Sequence, residues 1–197
     1  MFMNIWLKTG LAIVTTLLFL NGVGQTLPQV KVETILGEIV LEIDIVNAPV
    51  TANNFLKHVE TGTYKNAVFY RAVRMDNQPF NDIKIEVIQG GLFSDEKIDK
   101  HQSIKHETTK ETGLKHLEGT ISMARAEPGT ASTEFFICIG SQPELDFGGK
   151  RNPDGQGFAT FGKVIKGMEV VREIQNQKDK DQILVEQVKI VSLKIGE

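Results

Sequence analysis

Residues 119–140, GTISMARAEPGTASTEFFICIG, constrain the fold of this chain more than any other stretch. Thr120 to Ala124 reads as a short mixed strand. A polar turn segment with Pro128 and Gly129 follows; proline presets φ there and glycine tolerates the left-handed region. Ser132, Thr133 and Glu134 then introduce a dense apolar run, Phe135 to Ile139. Two strands around an irregular polar loop in so few residues suit the rim of a small barrel. They set polar groups and a phenylalanine pair beside one groove.

The remaining segments agree with a barrel. Residues 29–46 alternate, with Val30 and Val32 before a break at Gly37 and Ile39, Leu41, Ile43 and Ile45 after it, the pattern of a hairpin with one buried face. Pro49-Val50-Thr51 opens a helix with Phe55, Leu56 and Val59 on its apolar face, Asn47 or Thr51 as its cap and Gly62 at its end. Residues 67–73 form a strand carrying Phe69, Tyr70 and Arg71; 74–84 is a polar loop; 85–89 is a second strand, stopped by Gly90-Gly91. Residues 94–115 are charged and read as exposed irregular chain with one short strand at most, near 103–107. A Gly/Pro/Asp/Asn loop at 141–157, a strand at 159–165, a short helix at 168–175 with Val170, Val171 and Ile174 inward, a charged turn at 178–181 and a last strand at 183–195 complete the chain. Many short strands and two helices without βαβ alternation argue against a parallel α/β fold. They favour a mainly-β chain, a closed antiparallel barrel with helices over its ends.

At 197 residues the chain suffices for one well-buried domain. Its formal charge of -3 and the absence of a basic stripe argue against a nucleic-acid partner. Cys138 is the only cysteine and sits in an apolar run, so no intrachain disulfide forms and a buried, inert thiol is expected. The N-terminus reads separately. Lys8 is the only charge before Gln25, Gly10 to Leu20 is apolar apart from Thr15 and Thr16, and Gly22 and Gly24 follow. This is the layout of a secretory signal over residues 1–24, too short in its apolar run to span a bilayer comfortably. Export, to the periplasm in a Gram-negative cell, is expected, with an uncleaved anchor as the alternative and no stable membrane insertion once the signal is cut.

Conventional catalytic machinery is sparse. His58, His101, His106 and His116 are the only histidines; His101 and His106 lie five apart in the charged segment with no Cys/His cluster around them and read as solvated surface groups, so no metal is expected. Ser122, Ser132 and Ser141 lack a G-x-S-x-G setting, and neither Gly90-Gly91 nor Gly148-Gly149 matches a phosphate loop. Asp146 and Asp154 are turn-stabilising side chains or calcium ligands. Taken singly, Arg71 is a strand arginine paired with an acid, Gln89 a turn cap, the phenylalanine pair core, and Met123 and Leu145 filler.

Together the motifs FYR, QGG, SMARA, STEFFICIG and FGKV, in that order from about Val30 to Ile195, resemble the motif series of the cyclophilin-type peptidyl-prolyl isomerases. The loop 142–164 and the extended segment before QGG resemble a bacterial subgroup of them. The resemblance implies an eight-stranded antiparallel barrel capped by two helices over residues 25–197, acting on X–Pro bonds of proline-containing polypeptides, as a monomer and without cofactor or metal. It implies that Arg71 is catalytic and that Gln89 holds it. Phe136 then forms the floor of a proline pocket with Val87 and Leu145 beside it, and Ala124 and Arg125 bind substrate backbone. Phe69, Met123, Glu134 and Phe158 join the substrate-contacting set. Phe158 stands where a histidine is usual, Glu134 where a glutamine is usual, and Glu86 where a phenylalanine borders the pocket. A carboxylate facing that pocket would desolvate poorly without a cationic partner. Glu86 and Phe158 therefore keep a second reading open, a non-catalytic proline-peptide-binding chaperone on the same fold. A third, an unrelated small-ligand barrel, predicts a deep closed cavity instead of a surface groove.

Overall fold

The computed structural model describes residues 26–196, so the expected signal segment lies outside the described residues. Strands β1 (Gln29–Thr34) and β2 (Gly37–Ile43) form the hairpin read from alternation, with Val30, Val32, Ile39, Leu41 and Ile43 all buried. Gly37, at φ +141°, closes it, and the Thr34 hydroxyl donates to the Gly37 carbonyl at 2.8 Å. Helix α1 (Pro49–Glu60) starts on its proline, as that ring allows at a first helical position. Neither Asn47 nor Thr51 caps its end. The Glu107 carboxylate does so from far along the chain, accepting from the Val50 and Thr51 amides and the Thr51 hydroxyl, and its charge suits the positive end of the helix.

Next come β3 (Val68–Val73), β4 (Val87–Gly91) and the one-turn helices α2 (Asp95–Ile98) and α3 (Thr109–Thr112). No strand forms near 103–107. Instead Glu107, Thr108 and Thr109 are buried, and a reciprocal Thr108–Glu111 capping box starts α3. Strands β5 (Thr120–Met123) and β6 (Phe135–Cys138) flank the polar loop expected between them, and a 3₁₀ turn follows at Pro143–Leu145. Strand β7 (Ala159–Lys166), helix α4 (Met168–Gln175), the two-residue β8 (Asp179–Lys180) and the long β9 (Ile183–Ile195) end the described chain.

The strands pair antiparallel in the order β1-β2-β7-β5-β6-β4-β3-β9, and β9 returns to β1, which closes an eight-stranded barrel; β8 only extends β9. Closure leaves the barrel no open sheet edge, and buried apolar side chains from its strands pack the interior. Phe55 of α1 enters this core against Tyr64, Phe135 and Phe161, with ring centroids 5.1–5.5 Å apart. Helix α4 buries Val170, Val171 and Ile174 as its spacing predicts. A smaller apolar cluster forms on the outer face of the sheet from Val73, Ile85, Val87, Phe136, Cys138 and Leu145. Strand alternation splits the phenylalanine pair between the two, Phe135 into the barrel and Phe136 onto this outer cluster. Burial pushes the Cys138 thiol well above its usual range, in keeping with an inert group.

Candidate active site

Register assembles the site. Arg71 pairs with Gln89, Gln89 with Phe136 and Phe136 with Ser122, which sets one row of side chains across four strands on the outer face. Strand β3 would not present this row if it alternated strictly. Phe69 lies opposite Gly90 and Arg71 opposite Gln89, so Tyr70 is the extra residue of a bulge. Phe69 and Ala72 therefore point into the barrel while Tyr70 and Arg71 between them do not. Gly90 is required at this crossing, since a Cβ there would sit 2.8 Å from the Phe69 ring.

The guanidinium of Arg71 is held from both sides. Nη1 donates to Gln89 Oε1 at 3.0 Å, while Nε and Nη2 donate to Gln182 Oε1 at 3.1 and 2.6 Å. Gln182 comes from the turn between β8 and β9, where its own φ is +71° and its amide nitrogen donates to Asp179 Oδ2. Behind Gln89 the chain of bonds continues. Its Nε2 donates to Tyr70 Oη at 2.6 Å, and the Tyr70 hydroxyl donates to Glu134 Oε2 at 2.6 Å. A guanidinium has five N–H donors, and these amide oxygens take three of them, which leaves two for a ligand.

Arg71, Val87, Gln89 and Phe136 line an open groove of about 270 Å³. Ala124, Arg125, Leu145 and Phe158 complete its other wall. Phe136 is the floor: the Phe158 ring meets it edge-on at 5.3 Å and the His116 ring stacks beneath it at 5.9 Å. A larger hollow of about 370 Å³, lined by Leu114, Thr160 and Lys163 among others, brings no guanidinium to an aromatic floor and lies apart from this row.

The groove matches the surface pocket, not the closed cavity, that the motif order implied. A family model described as cyclophilin-type peptidyl-prolyl cis-trans isomerase matches residues 29–195. The chain belongs to the cyclophilin family. It is 35% identical over 173 residues, 85% of this chain and 84% of the relative, to peptidyl-prolyl cis-trans isomerase A of Dickeya dadantii. It is 34% identical over 142 residues to isomerase B of Escherichia coli, covering 71% of this chain and 79% of the relative. Among solved structures it resembles a Cryptosporidium parvum cyclophilin-type isomerase crystallised in the presence of the dipeptide Ala-Pro, with a TM-score of 0.68 and 25% identity over 86% of this chain and 99% of that one.

Three expected members of this cyclophilin's site lie elsewhere. Phe69 and Met123 are wholly buried in the barrel, because the bulge at Tyr70 and the alternation of β5 turn them inward. Glu134 is buried behind the row, accepting from Tyr70, from the Leu92 amide at 2.6 Å and from Thr133. Burial pushes its carboxyl above the usual range, against the pull of these donors. Gly91 leaves the room it needs, since a Cβ there would lie 2.3 Å from Glu134 Oε1. Glu86, feared in the proline pocket, is turned away toward Gln175, whose Nε2 lies 3.5 Å from its Oε1, and Ile85 and Val87 take the groove side. Two other histidines, His116 and His58, are buried. His116 joins Asp146 at 2.8 Å to Ser122 at 3.1 Å beneath the floor, and His58 packs at 5.0 Å against the His101 ring. Burial lowers the His116 pKa despite the Asp146 contact that raises it. Of the two aspartates read as turn-stabilising or calcium-binding, Asp154 accepts from the Gln156 amide two residues on, at 2.7 Å, whereas Asp146 bonds instead to the backbone and ring of the distant His116.

Ile85, Tyr70, Arg151 and Gln182 were missed. Ile85 had a detectable signal, since it shares the period-two phase of Val87 and Gln89. The bulge that frees Tyr70, and the long-range approach of Gln182, have no local signature.

Proposed function

We propose that this protein is an exported isomerase of X–Pro peptide bonds, acting during folding of exported polypeptides. Rotation about an X–Pro bond meets a barrier of roughly 20 kcal/mol and takes tens of seconds unaided. In the twisted transition state the amide loses resonance and the proline nitrogen gains a lone pair. A cation donating to that nitrogen binds the twisted form better than either planar one, and such differential binding is catalysis.

The observation that carries this reading is the double hold on Arg71. Gln89 and Gln182 fix the guanidinium at the groove rim, and its two remaining donors are free for the substrate. No carboxylate bonds to it among the described residues, so its charge is not spent within the protein. Phe136, Val87 and Leu145 offer the proline ring an apolar seat. With Glu86 turned out of the pocket and Phe158 packed on the floor, neither residue that favoured a purely binding role obstructs the seat.

Export rests on the N-terminal pattern: one lysine, a short apolar core and small residues before Gln25. Two measurements test the proposal. A protease-coupled isomerisation assay on the full chain and on the chain from Gln25 should show acceleration of cis-to-trans conversion, and a rate equal to the uncatalysed one would refute it. Intact mass of the protein recovered from cells should correspond to a chain starting near Gln25, and an unprocessed mass would refute cleavage.

A further inference from the structure

The groove holds more cationic charge than rotation of a bare X–Pro bond requires. Arg151, from the loop between the 3₁₀ turn and β7, lines it together with Arg71. Arg125 also lines it, but its charge is matched: Nη1 and Nη2 donate to the two carboxylate oxygens of Asp154 at 2.8 and 3.0 Å, Nε and Nη2 donate to the Gly157 carbonyl, and the group lies over the Phe158 ring. Arg151 is different. Its Nη1 donates to the Ile83 carbonyl, and among the described residues neither it nor Arg71 forms an ion pair. The two guanidinium groups feel each other, for the charge of Arg71 adds to burial in disfavouring the cation at Arg151.

No acid lines the groove, and Asp82, exposed beside Ile83, forms no ion pair with either arginine among the described residues; the other acids nearby are committed elsewhere. Asp154 pairs with Arg125, Glu134 bonds behind the sheet, Glu86 reaches toward Gln175, Glu144 accepts from the Lys150 amide and Asp146 holds His116. Two like charges that stay protonated thus share one groove whose lining includes no carboxylate. A guanidinium fork with spare donors matches a carboxylate in geometry as well as in sign.

We propose that Arg151 forms an anion subsite of this groove, selecting X–Pro peptides that carry an Asp or Glu side chain on a residue adjoining the proline. The proposal rests on the isomerase reading of the same groove. It runs against the whole-molecule field, because the formal charge of -3 would steer lysine-bearing peptides in preference to acidic ones. A preference for acid therefore has to arise locally.

The test is exchange NMR on the full chain with peptides that carry Glu, Ala or Lys immediately before or immediately after the proline. At low ionic strength kcat/KM for the Glu peptide should exceed that for the Lys peptide by about tenfold or more at one of the two positions, and the ratio should shrink as salt screens it. Arg151→Gln should bring that ratio to within about twofold, whatever common factor it applies to all peptides, and Arg151→Lys should keep part of it. Equal Glu and Lys rates at both positions, or a preference that survives Arg151→Gln, would overturn the subsite. If no peptide exchanges faster than without protein, the isomerase reading fails, and dissociation constants from the same titrations judge the subsite alone. Tighter binding of the Glu peptide, lost in Arg151→Gln, supports it; equal binding sinks it.

Discussion

Gln182 is the residue whose removal tests the geometry of Arg71 most sharply. Its Oε1 accepts both Nε and Nη2 of the arginine, at 3.1 and 2.6 Å, whereas Gln89 accepts only Nη1, at 3.0 Å. Gln182→Met keeps the side-chain length and adds no β-branch, so the positive φ of +71° costs no more than before. The backbone bond from residue 182 to Asp179 also survives. What is lost is the acceptor of two charge-assisted bonds, together with the Nε2 donation to the Asn77 carbonyl at 3.2 Å, which does not touch Arg71. A bond to a charged group contributes about 1.5–3 kcal/mol. Water in the open groove replaces part of it, so we expect about 1.5–2.5 kcal/mol of lost transition-state stabilisation. That corresponds to a fall of roughly 10- to 70-fold in kcat/KM, measured by protease-coupled isomerisation in the cold, where the uncatalysed rate is slow. Gln89→Met should cost less through Arg71 alone, and the double variant should approach the loss seen without the arginine. A Gln182→Met protein that isomerises within about twofold of wild type would refute the view that this turn fixes the guanidinium.

Tyr70→Phe removes the hydroxyl that links Gln89 to the buried Glu134, leaving the carboxyl with fewer donors. It should lower unfolding free energy by about 1–3 kcal/mol at neutral pH. Because burial raises the Glu134 pKa, the deficit should shrink as acid protonates the group, and denaturant titrations showing a pH-independent deficit would contradict this. His58 is held neutral by burial and by the neighbouring His101, with its pKa lowered to about 4. The unfolded chain takes up that proton near the ordinary value of 6.5 and the native state does not, so stability is present above about pH 6.5 and lost toward pH 4. The contribution is at most about 1.4 kcal/mol per pH unit. His58→Gln should flatten part of that acid slope in urea melts, and identical slopes for both proteins would count against it.

Much of this architecture could be read from local pattern. Period-two alternation marked the β1–β2 hairpin, and 3.6-residue spacing marked α1 and α4, because in both cases one face alone meets the core. Arg71, Gln89 and Phe136 were found from ordered motifs, and pairing register then explained why three distant segments meet. What escaped was non-local. Glu107 caps α1 across the chain, so the segment that carries it looked like solvated loop. The bulge at Tyr70 breaks alternation without a glycine to announce it, which is why Phe69, buried in the barrel, was placed in the substrate-contacting set. Gln182 follows a charged turn, and only the positive φ values of Asp181 and Gln182 swing its side chain onto Arg71. Arg151 sits in a loop whose composition signals turns and nothing about where they lead.

We propose that the Arg71 guanidinium, pinned at the rim of a groove floored by Phe136, does the catalytic work. Protease-coupled isomerisation of one X–Pro peptide by wild type, Arg71→Lys and Arg71→Ala tests it directly, with circular dichroism confirming that each variant is folded. Loss of a preorganised donor aimed at developing charge typically costs about 10²–10³ in rate. Arg71→Ala should therefore fall by about a hundredfold or more in kcat/KM, with Arg71→Lys between, since lysine keeps the charge but not the fork held by Gln89 and Gln182. A folded Arg71→Ala protein isomerising within about twofold of wild type would show that the guanidinium is not the catalytic group.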